Sequence, residues 1–199
     1  MARPDADIAG CLAAHARLAA TIADLYDAQV RTPSRLPDWS VGHVLSHLAR
    51  NAESVTRRLL GAARGEIVDQ YAGGFEGRAL EIEAGSGRSM EALVADVMET
   101  NAEVEAAFTA MPSDAWDNLT RTVRGDELPA STLAFTRWRE VDVHHTDLGL
   151  GYEPADWPPE LVERWLPSLL EGLPERSDPN ELAAWILGRG PEPTLRPWT

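Results

Sequence analysis

His47, Glu140 and His144 are of the residue types that bind divalent metals. Glu140 and His144 lie four apart in Trp138-Arg139-Glu140-Val141-Asp142-Val143-His144-His145, so on a helix they share one face. His47 stands far upstream, in His43-Val44-Leu45-Ser46-His47-Leu48-Ala49. Two imidazole nitrogens and one carboxylate oxygen suit Zn²⁺ or a similar divalent ion. Three protein ligands leave a coordination position open, and an open position implies catalysis. The residues alone leave an alternative standing, with His47 a hydrogen-bonded core histidine and Glu140 on a solvated face. His43, four before His47, competes as a ligand, although its place near a helix start suits a cap or an outward orientation. Asp142 falls on the wrong face for ligation, whereas Asp147, three after His144, is placed to orient an imidazole N–H. His145 faces about 100° away from His144, as a support for the ligands or a surface residue. His15 has no partner at metal spacing and reads as core or surface.

Helices must position these residues. Apolar residues at Ile8, Leu12, Ala16, Ala19, Ile22 and Tyr26 predict a first helix over 5–30, broken by Pro33 and Pro37. Ser40 is an N-cap for a second helix to about Arg64, with Val44, His47, Leu48, Asn51, Val55 and Leu59 inward. Residues 65–88, with six glycines, read as a long irregular connection holding a short helix over 78–83. Such a connection inside a compact domain is functional or a crossover. A third helix over 89–111 turns Leu93, Val97, Met98, Asn101, Val104 and Phe108 inward, and 112–128 is polar and turn-rich. The fourth runs over 130–147, with Leu133, Arg137, Glu140, Val141 and His144 on one side. Four long amphipathic helices with one long crossover predict a mainly α fold, a four-helix bundle over residues 1–149. Residues 150–199, punctuated by proline, predict a small C-terminal domain or tail with helices over 159–172 and 180–187.

Composition narrows the partners. At 199 residues the chain builds one sizeable core. Its net charge of −14 disfavours nucleic acid and anionic membrane surfaces, both of which need a cationic patch. It also requires that an anionic substrate meet a locally positive site. All 18 basic residues are arginine, which binds carboxylates bidentately. The single cysteine, Cys11, excludes an intramolecular disulfide and sits on an apolar face, as a buried and inert thiol. There is no basic-then-apolar leader and no apolar run of membrane-spanning length, so a cytoplasmic protein, a monomer or homodimer, is expected.

Leu36-Pro37-Asp38-Trp39-Ser40-Val41-Gly42-His43-Val44-Leu45-Ser46-His47-Leu48-Ala49 resembles the opening metal-binding helix of the DinB-like metalloprotein superfamily. Within that superfamily it is most similar to the mycothiol-dependent maleylpyruvate isomerase family of actinobacteria. Trp138-Arg139-Glu140-Val141-Asp142-Val143-His144-His145-Thr146-Asp147-Leu148 matches where that family carries its glutamate and second histidine. Tyr71 to Gly85 resembles its crossover, and Leu182 to Gly190 more weakly its C-terminal helix. The tail after His144 reads as shortened relative to the family, with Ser177-Asp178-Pro179 cutting into the last helix.

The resemblance implies a DinB-like bundle with Zn²⁺ held by His47, Glu140 and His144, and mycothiol as the thiol cofactor. It implies that a thiolate adds to the cis double bond of maleylpyruvate. The bond, now single, rotates, and elimination of the thiolate leaves fumarylpyruvate. Addition without elimination would make a mycothiol S-transferase. A hydrolase, with Asp147 or His43 as base, and a non-catalytic metal-binding bundle are the remaining alternatives. Arg78 in the crossover and Arg189 near the tail are the candidate catalytic cations for an anionic substrate. Arg78 and Tyr71 are the candidate contacts for the thiol, with Trp39 a pocket wall or core packing. Arg137, three before Glu140, reads as its ion-pair partner.

Overall fold

Ser40 opens the helix that carries His47. In the computed structural model, which describes residues 2–196, its hydroxyl accepts from the His43 amide, and the Ser40 amide donates back to His43 Nδ1. This is a capping box with histidine in place of the usual Glu or Gln. His43 Nε2 lies 3.2 Å from Glu83, so both ring nitrogens are engaged away from the metal ligands.

The predicted first helix is two: α1 (Asp5–Ile22) and a short α2 (Asp27–Val30). Tyr26 between them is extended, and its amide donates to the Gln29 side chain, which restarts the helix. The break places Asp27 where its carboxylate accepts the amide of Met90. α3 (Val41–Ala63) follows, with Val44, Leu48, Val55 and Leu59 buried.

The connection after α3 is more ordered than its glycines suggest, since it contains α4 (Gly74–Ser86). Gly73 and Gly74 take positive φ at its start. Two other glycines serve close approach rather than freedom. A Cβ on Gly42 would lie 2.5 Å from the Ser86 carbonyl oxygen, and one on Gly85 would lie 2.3 Å from Ser46 Oγ. Side-chain-free positions on both helices therefore let α4 sit directly on the start of α3. Arg31 closes the C-terminal end of α4 by donating to the Ser86, Gly87 and Arg88 carbonyls.

Next come α5 (Met90–Ala110), capped by Ser89, and a hairpin of β1 (Leu119–Arg121) and β2 (Glu127–Pro129) paired antiparallel with Thr120 opposite Leu128. These three-residue strands lie in the stretch read as polar turns, too short to show an alternating pattern. α6 (Thr132–Asp147) completes the four long helices. α3 packs against α4, α5 and α6, and α1 against α6. The core is built of Leu18, Ile22, Leu45, Leu48, Leu93, Phe108 and Leu133, all buried. Cys11 is fully buried here, and burial pushes its thiol up to about 12.

The chain divides into two compact units, Met1–Asp156 and Trp157–Thr199. The second contains α7 (Pro159–Glu171), α8 (Leu173–Arg176) and α9 (Pro179–Ile186). Asp178 caps α9 by accepting from the Asn180 and Glu181 amides. Among the described residues no helix is long and apolar enough to cross a membrane.

Candidate metal centre

α3 and α6 present the three expected ligands to one another. His47 Nε2 lies 3.3 Å from Glu140 Oε2, and His144 Nε2 lies 3.5 Å from the same oxygen. One donor atom from each residue lies within 4.8 Å of the others. Donors held about 2.0–2.1 Å from a tetrahedral ion stand roughly 3.3 Å from one another, so the spacing fits a single divalent ion. The two imidazoles meet at 90° with centroids 4.5 Å apart. The His47 side chain is 2% exposed, whereas Glu140 and His144 retain 17% and 13%. The cluster is therefore closed at α3 and reachable at the other two ligands.

Asp147 accepts from His144 Nδ1 at 2.8 Å and so aims Nε2 at the cluster. Burial lowers the His144 imidazole, but hydrogen bonds to Asp147 and Glu140 outweigh it and lift the group to about 9. Burial, aided by the charge of His144, pushes His47 down to about 4. Burial raises the Glu140 carboxyl, yet its bonds from His144 and His47 hold it well below the usual range. Near neutrality Glu140 is a carboxylate and His47 is neutral. An incoming ion competes chiefly with the one proton on His144.

α4 delivers Arg78. Its Nη2 lies 3.3 Å from His47 Nδ1, and its guanidinium carbon lies 6.0 Å from the Trp39 ring centre and 5.9 Å from that of Tyr71. Trp39 also stands edge-on to His47 and stacks on His43. Six residues singled out in the sequence, His47, Glu140, His144, Arg78, Tyr71 and Trp39, are thus one cluster. Arg189 belongs to the second unit, where it is exposed and its Nη1 reaches the Leu187 and Gly188 carbonyls.

Two expectations need correction. Arg137 forms no ion pair with Glu140. It is fully buried and turns the other way, where Nη1 donates to the Leu48 carbonyl and Asn51 Oδ1, Nη2 to Asn101 Oδ1, and Nε to His15 Nε2. Its place on the apolar stripe with Leu133 and Val141 was the available signal. His145 is neither a surface residue nor in contact with the ligands. It is buried, stacked at 3.9 Å on Tyr152 and hydrogen-bonded to Thr21. Asp142 does stay off the metal face, receiving Arg17, Trp138 Nε1 and the Tyr152 hydroxyl.

His15, between Arg137 and Glu105, makes the fold acid-sensitive. Burial, reinforced by the Arg137 charge, pushes it down to about 2. Unfolded, it titrates near 6.5. As pH falls below 6.5 the unfolded chain takes up a proton that the folded chain refuses, so stability present above 6.5 is lost. Between pH 7 and pH 5 this one residue accounts for about 2 kcal/mol. Denaturant unfolding of His15→Gln should show a pH 7 to pH 5 loss smaller than wild type by that amount. An unchanged loss would contradict a neutral His15.

A mainly helical four-helix bundle whose facing helices carry two histidines and a glutamate defines a DinB-like fold. The model of the mycothiol maleylpyruvate isomerase N-terminal domain matches residues 11–149, and the chain belongs to that family. The crystal structure of the mycothiol-dependent maleylpyruvate isomerase superposes with a TM-score of 0.77 at 26% identity, over 80% of this chain and 66% of that one. A histidine-to-alanine mutant of that enzyme gives 0.77 at 25% identity, with the same coverage. YfiT from Bacillus subtilis, a probable metal-dependent hydrolase with an unusual four-helix bundle topology, shares the fold at a TM-score of 0.59 and 17% identity, over 81% of this chain and 86% of that one. This chain spans 66% of the length of the solved isomerase. No curated protein matches it.

Proposed function

We propose that this chain uses a divalent ion, zinc, and the thiol mycothiol to convert maleylpyruvate to fumarylpyruvate. The observation that carries the reading is the three-donor cluster with Arg78 against it. When bound, the ion acidifies a thiol at its open position so that the thiolate is available near neutrality. Carbon–sulfur addition to the cis double bond leaves a single bond free to rotate. Elimination returns the thiolate and the trans alkene, with no net oxidation or proton change.

The chain's own residues hold the parts. Asp147 keeps His144 oriented. As the rings stand, Arg78 donates to His47 Nδ1, leaving Nε2–H for Glu140. Ligation through Nε2 requires the other tautomer, whose Nδ1–H no longer accepts from Arg78. The guanidinium is then available to a substrate carboxylate or to the thiol, beside the walls formed by Tyr71 and Trp39. Arg189 is proposed as a further cation for the substrate.

The test is turnover of maleylpyruvate by zinc-loaded protein with mycothiol below substrate concentration. Many turnovers per thiol are expected, with Arg78→Ala and Arg189→Ala each raising KM. Consumption of one thiol per substrate marks a transferase instead. No conversion at full zinc occupancy removes the isomerase reading.

A further inference from the structure

In a chain of net charge −14 a buried arginine with neither a carboxylate nor a full set of other acceptors is the exception. Arg17, Arg35, Arg50 and Arg88 each pair with an aspartate or glutamate. Arg58 on α3 does not. It is 3% exposed, its Nε donates to the Ser54 carbonyl at 3.2 Å, and its Nη2 has no hydrogen-bond partner.

Its placement relates it to the metal ligands. Arg58 follows His47 on α3 by close to three full turns, which puts both on one face of the helix. The bond to Ser54 directs the side chain back toward the end of α3 that carries His47. Burial pushes the guanidinium down to about 10, and the Tyr71 and Glu140 side chains draw it back up. Arg78 lies over the ring of the same Tyr71. Arg58 and Arg78 thus approach the cluster from α3 and α4.

The energetics are those of a functional group rather than a structural one. A buried donor left unmade costs roughly 1–3 kcal/mol, and more for a charged group. An apolar side chain of similar length relieves that cost. A carboxylate brought to Nη2 supplies the acceptor that the fold withholds.

We propose that Arg58 is a second carboxylate receptor, which together with Arg78 lets the site hold a dianionic alkene by both ends and prefer it to a monoanion. The choice of a dicarboxylate rests on the isomerase reading above.

Calorimetric binding of maleate, and of isocrotonate as the matched cis monocarboxylate, to the zinc-loaded full chain tests this. Arg58→Met should weaken maleate binding by about tenfold or more, the worth of one charge-assisted hydrogen bond. Isocrotonate and zinc affinities should stay within about threefold of wild type, since neither uses that bond. The melting temperature should hold or rise, and Arg58→Lys should keep part of the maleate affinity. Unchanged maleate affinity in Arg58→Met overturns the assignment. So does a wild type that binds maleate no better than isocrotonate, or a variant that melts lower and loses both ligands alike. Arg58-dependent maleate binding in a protein that does not isomerise maleylpyruvate would sink the isomerase reading and leave this one standing.

Discussion

Glu140→Gln is expected to abolish tight zinc binding while leaving the bundle folded. The carboxylate is the only anionic donor among the three, and both imidazoles reach the same oxygen. An amide oxygen is neutral and leaves the ion's charge uncompensated. Losing a support of a ligand costs 10–100-fold in affinity, so losing the ligand itself should cost more than about 100-fold. Asp147→Asn, which weakens the hold on His144, belongs in the 10–100-fold range. The fold tolerates the first change because Glu140 is partly exposed and its isostere fills the same space. Competition against a chromophoric chelator, with melting temperature alongside, reads both effects. Zinc affinity within threefold of wild type in Glu140→Gln would remove these residues as the metal centre.

How far the site could be read in advance depended on the range of the interactions. Glu140 to His144 and His144 to Asp147 are contacts within one helix, set by its period, so spacing alone placed them correctly. Ser40 was legible for the same reason, because a cap acts on its own first turn. The glycines of the crossover misled because Gly85, for one, answers to Ser46, a residue on another helix. Composition registered their flexibility, whereas the fold uses their lack of a side chain. Arg137 failed likewise. Its nearest acid in sequence is Glu140, but packing gives it acceptors on α1, α3 and α5. Arg58 carries no local mark, since a missing partner becomes visible only once every neighbour is placed.

Arg137 and Arg58 are both buried guanidiniums, and opposite outcomes are expected of them. Arg137→Met should destabilise the protein by about 3–5 kcal/mol, the range for stripping one partner from a buried charged network. Each acceptor that Arg137 satisfies would be left dry: the Leu48 carbonyl, Asn51 Oδ1, Asn101 Oδ1 and His15 Nε2. Arg58 satisfies one carbonyl and wastes a donor, so its removal is cheap. The Arg137 bonds also bear on the metal centre. Leu48 follows His47 directly and Asn51 stands one turn beyond it, while Arg137 stands one turn before Glu140 on α6. The same guanidinium therefore fixes the register between the two helices that carry the ligands, and zinc affinity should fall about tenfold even where the variant is fully folded, as for other supports of the ligands. Arg137→Lys, which can keep one bond but not the fork, should fall between. Urea unfolding at pH 7 with zinc competition on the folded fraction measures the two losses separately. An Arg137→Met variant as stable as wild type would show that the buried network contributes nothing net. Stability lost with zinc affinity intact would confine Arg137 to the core and free the ligand register from it.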